Sequence, residues 1–210
     1  MFMKIAKEGY PVIAIPALLT IIALLLGWKW AAAVFVIVTL AVAAFFRDPE
    51  RIPPLGNDLI LSPADGKVVE IRPIEGAADG PGARLSIFMS PLDVHVNRAP
   101  VSGTVEKIEY QKGCFMPAYR EDCSENNERN ALTLVGSDGL PVKLVQIAGI
   151  MARRIICRVK PGDALEAGER FGIIMFGSRV DVYIPAGAEI VVGEGVHVTG
   201  GESVLARKSI

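Results

Sequence analysis

The chain has 210 residues, 51% of them hydrophobic, with 22 basic against 23 acidic side chains and a formal net charge of -1. So even a balance, with no basic stripe along the chain, gives nucleic acid no footing. The three cysteines, Cys114, Cys123 and Cys157, are odd in number and lack CxxC spacing, which argues against a disulfide framework and a zinc site and leaves reduced thiols facing a cytosol as the default.

The length admits one domain with an appendage, and the apolar excess sits at the N-terminus. Residues 11–26 are apolar except for Thr20, and after Gly27-Trp28-Lys29 the apolar character resumes from Trp30 to Phe46. Each run is somewhat shorter than the ~20 residues a spanning helix wants, but neither has a polar face. A cleaved signal peptide fits poorly, because a second apolar run follows the first where a cleavage site and a polar chain should stand. Lys4 and Lys7 precede the pair, Arg47 and Arg51 follow it, and only Lys29, bracketed by Trp28 and Trp30, lies between. By the positive-inside rule both ends face the cytoplasm. The expectation is an apolar helical membrane hairpin over residues 1–50, with the main domain, 51–210, on the cytoplasmic face of the cell membrane.

From Pro53 short β-rich runs alternate with Gly, Pro and Asp turns, which predicts a mainly β (α+β) domain. Residues 63–71 (Pro-Ala-Asp-Gly-Lys-Val-Val-Glu-Ile) align with 100–108 (Pro-Val-Ser-Gly-Thr-Val-Glu-Lys-Ile), each placing a glycine before an apolar-rich strand. Residues 160–172 read as a strand–turn–strand unit, and 185–206 repeat that style. Such units resemble the half-motifs of lipoyl- and biotinyl-type barrels, so a lipoyl-like barrel-sandwich is the expected architecture. The polar stretch 114–130 reads as a loop over a site.

Three motifs carry candidate chemistry. The first is Phe176-Gly177-Ser178-Arg179-Val180-Asp181, where a Gly-Ser pair interrupts a β-run. A Gly-Ser pair is ordinarily a turn, and glycine weakens a strand, but it suits a backbone that must be approached closely, as an attacked carbonyl must be. The second is Ser90-Pro-Leu-Asp-Val-His95-Val-Asn-Arg-Ala-Pro100; a histidine in such an alternating run is ordinarily a packed strand residue. The third is Ser62-Pro-Ala-Asp65-Gly66, whose Asp-Gly is a common turn pair. With His95 and His197 the only two histidines, bases that titrate near neutral pH are scarce.

Together these motifs resemble the phosphatidylserine decarboxylase family, in particular its short bacterial and archaeal branch. The resemblance also takes in the apolar N-terminus, Gly149-Ile-Met-Ala-Arg-Arg154 and Gly168-Glu-Arg-Phe-Gly172, in the family's order. It implies a pyruvoyl-dependent phosphatidylserine decarboxylase made as a proenzyme. A head-group carbanion needs an electron sink that no ordinary side chain provides; a pyruvoyl ketone provides it through a Schiff base with the substrate amine. The resemblance implies that Ser178 attacks the carbonyl of Gly177, leaving residues 1–177 as a beta chain and 178–210 as an alpha chain that begins with pyruvoyl. It makes His95 the base and Asp65 its orienting partner, in the logic of an activated hydroxyl. His197, in a Gly-rich terminal region, is read as structural. Implied partners are a phospholipid substrate, the membrane and the chain's own two cleaved pieces, with homo-oligomerisation left open. The chain departs from the longer bacterial branch at Arg98, where that branch has a second histidine, and at Arg179, where it has a small hydroxyl residue. Arg153 and Arg154 suit either a substrate anion or an anionic membrane surface.

Other readings compete. A membrane-tethered, non-enzymatic adaptor barrel shares the anchor and half-motifs but needs a long heptad hairpin, and none is present. A lipoyl or biotin carrier needs a lysine at a hairpin tip, a setting that Lys67 and Lys143 lack. A membrane serine protease would use the same three side chains but keep a free serine. An archaeal chain would act on the ether lipid archaetidylserine.

Overall fold

The structure is a computed structural model that describes residues 4–74, 81–116, 126–136, 138–149, 154–175 and 178–208. The chain divides into two compact units, Met1–Glu50 and Arg51–Ile210.

The first unit is a pair of helices, α1 (Gly9–Leu25) and α2 (Lys29–Phe45). Its base is closed by backbone hydrogen bonds from Ala6 N–H to the Phe46 carbonyl and from Asp48 N–H to the Lys4 carbonyl, both 2.8 Å. The rings of Phe45 and Phe46 meet edge-to-face at 5.1 Å. The helices correct the expectation of a membrane hairpin. Each has 17 residues, so at about 1.5 Å per residue each is about 26 Å long, short of a ~30 Å hydrocarbon core. Among the described residues no helix is long and apolar enough to cross a membrane. The break at Gly27 and Trp28 divides one long apolar stretch into two halves, each insufficient by itself.

The second unit is mainly β. Its strands in chain order are β1 (Leu59–Leu61), β2 (Gly66–Pro73), β3 (Pro81–Met89), β4 (Val96–Arg98), β5 (Gly103–Gln111), β6 (Arg129–Val135), β7 (Pro141–Ile147), β8 (Ile155–Cys157), β9 (Ala164–Leu165), β10 (Arg170–Ile174), β11 (Ser178–Pro185), β12 (Glu189–Ile190), β13 (His197–Val198) and β14 (Val204–Arg207). A curled eight-stranded sheet runs β13-β2-β3-β11-β7-β6-β5-β9, with smaller sheets β1-β14-β12 and β4-β10-β8 beside it.

This arrangement corrects the lipoyl-like sandwich. The two similar segments do form similar strands, β2 and β5, and the reason is local. At Gly66 an added Cβ would lie 2.2 Å from the Phe88 carbonyl oxygen, and at Gly103 it would lie 2.4 Å from that of Val135. Both strands begin where a neighbouring backbone passes too close for a side chain. Yet β2 and β5 stand second and seventh in one continuous ladder. The 160–172 segment is likewise no hairpin: β9 pairs with β5, whereas β10 pairs with β4 and β8.

Strand β11 sits in the middle of the large sheet, antiparallel to β3 on one side and β7 on the other. Alternate residues of a strand face opposite ways. Val180, Val182 and Ile184 enter the main apolar core beside Leu85, Ile87 and Leu144. Ser178 shares their parity, and Arg179, Asp181 and Tyr183 point to the other face.

Candidate active site

Ser178 is the first residue of β11 and is fully buried. It stands opposite Met89, the last residue of β3, and its hydroxyl donates to the Met89 sulfur at 3.3 Å. Gly177, its partner in the expected cleavage, lies outside the described residues, as do 150–153 of the Gly149–Arg154 motif and 117–125 of the expected loop.

The end of β3 turns through Ser90 to Asp93 and delivers His95 to the start of β4. The turn is fastened by the Ser90 N–H donating to Asp93 Oδ2 at 2.7 Å. His95 is fully buried, and its Nδ1 lies 2.9 Å from the Asp93 carbonyl. A carbonyl oxygen only accepts, so Nδ1 carries the hydrogen and, in the neutral ring, Nε2 carries the lone pair. Nδ1 thus donates to the Asp93 backbone carbonyl. The carboxylate of Asp93 also reaches out to His197, Oδ1 to Nε2 at 3.4 Å, an association of the two histidines that the sequence did not suggest.

Asp65 occupies the turn ahead of β2. Arg51 Nη2 donates to its Oδ2 at 2.7 Å, and the Gly200 N–H donates to its Oδ1 at 2.7 Å. Arg51 also reaches Glu202 at 3.3 Å. The same turn is tied to β4, since the Arg98 N–H donates to the Pro63 carbonyl at 2.9 Å. Asp65 is thus a charged, well-bonded post beside the strand that begins just after His95.

Sequence reasoning missed what surrounds the serine. Asn97 Nδ2 lies 3.8 Å from the Met89 sulfur that Ser178 also uses. Gln146 Nε2 donates to Asn97 Oδ1 at 2.8 Å, and Asn130 Nδ2 donates to Gln146 Oε1 at 3.0 Å. All three amides are buried. Three amides in a chain are costly to bury unless satisfied, and satisfied they fix one arrangement of the core. An amide at the inward phase of an otherwise apolar strand, as Gln146 is between Leu144 and Ala148, was the signal that could have found them. For Met89 the sequence offers no signal. Of the predicted residues, Ser178 heads β11 opposite Met89 and His95 stands just before β4, whose Asn97 approaches the same Met89 sulfur; the serine hydroxyl donates to that sulfur rather than to His95. Arg98 is buried with Nη1 donating to the Gly168 carbonyl at 2.9 Å.

With this geometry in hand, the comparisons with known proteins are specific. The phosphatidylserine decarboxylase family model matches residues 38–206. A phosphatidylserine decarboxylase proenzyme of Azorhizobium caulinodans is 47% identical over 96% of this chain and 88% of its own length. Proenzymes of the same name from Geotalea uraniireducens and Oleidesulfovibrio alaskensis are each 45% identical, covering 96% and 98% of this chain and 95% and 94% of their own. A β-rich unit with a buried serine at the head of its central strand therefore has its class: the chain belongs to the phosphatidylserine decarboxylase family.

Proposed function

We propose that this protein is a proenzyme that converts itself at Gly177-Ser178 and then decarboxylates phosphatidylserine to phosphatidylethanolamine. The observation that carries the reading is Ser178 itself, a fully buried hydroxyl at the first position of the central strand in a chain close to 50% identical to named proenzymes.

The surroundings of Ser178 fit a pyruvoyl group. Making one removes the serine oxygen and turns its Cβ into a methyl. The partner of that oxygen is a thioether, which accepts a hydroxyl's hydrogen weakly and packs against a methyl equally well. A carboxylate or a backbone donor there would be left without its partner after conversion. When present, the group supplies the electron sink that head-group decarboxylation requires.

The chain's own residues perform the conversion. The Ser178 hydroxyl attacks the Gly177 carbonyl and converts the amide to an ester. Loss of the serine α-proton then expels the Gly177 carboxylate, and water releases the nitrogen as ammonia. His95 takes protons through Nε2, because the Asp93 carbonyl holds the other ring nitrogen in its protonated form. Asp65 belongs to the same set. Its carboxylate, braced by Arg51 and Gly200, keeps its turn against β4 and so keeps the histidine's strand in register.

A lipid substrate would bring the catalytic unit to a membrane surface. The exposed apolar side chains of the helix pair, Leu25 and Trp30 among them, suit contact with lipid at the interface without crossing it.

The test is direct. Detergent-dispersed phosphatidylserine incubated with purified protein is expected to yield phosphatidylethanolamine and carbon dioxide in equal amounts, and Ser178→Ala is expected to yield neither. Product from Ser178→Ala at the wild-type rate would overturn the assignment.

A further inference from the structure

The self-cleavage reading makes residue 178 a chain end, and chain ends fray unless they are tied down. The backbone ladder ties this one poorly. Ser178 pairs with Met89 of β3, but among the described residues pairing with β7 begins at Arg179, opposite Ile147. A reacting group at position 178 would therefore be held by backbone on one side, although a misplacement of about 1 Å can cost on the order of 100-fold in rate.

Arg179 supplies what the ladder lacks. Its side chain is 2% exposed, on the face opposite Ser178. Nε donates to Asp181 Oδ1 at 2.6 Å, and Nη2 donates to Glu70 Oε2 at 2.9 Å and to the Ser86 hydroxyl. Glu70 on β2 is braced in turn by Arg84 at 2.8 Å. Arg179 and Asp181 lie after the cut, whereas Glu70, Ser86 and Arg84 lie before it. The guanidinium thus spans both pieces of the cleaved protein, one residue from the new end. Burying such a charge is a poor route to stability, since apolar side chains of similar volume commonly do as well or better. A planar, multiply bonded fork is instead a good way to fix a position.

We propose that Arg179 is a positioning residue, which clamps the end of the 178–210 chain after cleavage and so holds its first residue in place for decarboxylation. The proposal rests on the self-cleavage reading, and the experiment separates the two. Wild type, Arg179→Lys and Ser86→Ala are allowed to mature as full chains. Three quantities are then measured: the cleaved fraction by intact mass, the rate at which phenylhydrazine labels the chain end, and kcat and KM per labelled end. All three proteins should be cut to the same extent. In Arg179→Lys, phenylhydrazine should react several-fold faster and kcat should fall about tenfold with KM within about twofold, the pattern of a misplaced rather than an unbound substrate. Ser86→Ala, which removes one neutral acceptor and leaves the arginine, should move both readouts less and in the same direction. Wild-type labelling and kcat in fully cut Arg179→Lys would overturn the proposal. So would an uncut Arg179→Lys beside a wild-type-like Ser86→Ala, which would place the arginine's work before the cut. An uncut wild type would instead remove the self-cleavage reading, and this proposal with it.

Discussion

At the scale of the residue, the serine is defined by its neighbour. Met89 offers the Ser178 hydroxyl a soft acceptor at 3.3 Å, which holds it in one orientation without deprotonating it. Met89→Leu keeps the volume and loses the acceptor. Its stability should change by less than ~1.5 kcal/mol, while self-cleavage, followed as the appearance of the short chain, should slow about fivefold, the equivalent of a hydrogen bond of ~1 kcal/mol. Gly66 is a second point of single-atom control. Its φ is 152° and a Cβ would strike the Phe88 carbonyl oxygen at 2.2 Å, so Gly66→Ala should cost about 3 kcal/mol, read as a lowered denaturant midpoint.

At the scale of the element, β7 carries more than its apolar pattern suggests. Gln146 joins Asn130 on β6 to Asn97 on β4. Gln146→Leu would leave the Asn97 amide oxygen and the Asn130 amide N–H buried without their Gln146 partner, at a cost of about 2–4 kcal/mol by thermal or chemical unfolding; self-cleavage should slow as well, because Asn97 shares the Met89 sulfur with Ser178. Here lies the boundary of what the sequence could tell. The alternation of Val180-Asp-Val-Tyr-Ile184 predicts a strand, and β11 is that strand, because alternation is a local pattern. The Asp93 carbonyl beside His95, the Arg51–Asp65 pair and the amide chain depend on which strands become neighbours, and strand order is not written in periodicity. The likeness of residues 63–71 and 100–108 shows the opposite hazard. It was a true local signal, a close backbone approach at Gly66 and Gly103, which sequence reasoning extended to a two-part sandwich that the eight-stranded ladder does not form. The apolar N-terminus is helical on each side of Trp28, as its composition predicts, but the membrane hairpin expected there is not supported, because length decides crossing and Gly27-Trp28 halves the length.

At the scale of the molecule, the proposed cut at Gly177-Ser178 would leave both pieces in one sheet. The 178–210 piece would supply β11, which lies between β3 and β7, and β13, and the other piece the remaining six strands of the eight. The cleaved chains should co-elute until denaturant is added. Acid should loosen them through Glu70. Burial alone would raise its carboxyl, but Arg84 and Arg179 hold it below its ordinary value of 4.5. A carboxyl whose folded value is lowered contributes stability that is complete above the ordinary value and lost as the pH falls through the lowered one. The unfolding midpoint of the cleaved protein should therefore drop on acidification below about 4.5, and Glu70→Gln should flatten that acid limb.

The central claim, that the chain makes its own reactive carbonyl from Ser178, is tested most directly by the intact mass of freshly purified protein with Ser178→Ala beside it. The account predicts two chains divided after Gly177, the shorter lighter by one ammonia than the plain peptide 178–210, and a Ser178→Ala chain that stays whole. A wild-type chain that remains single and does not react with a carbonyl probe would contradict it.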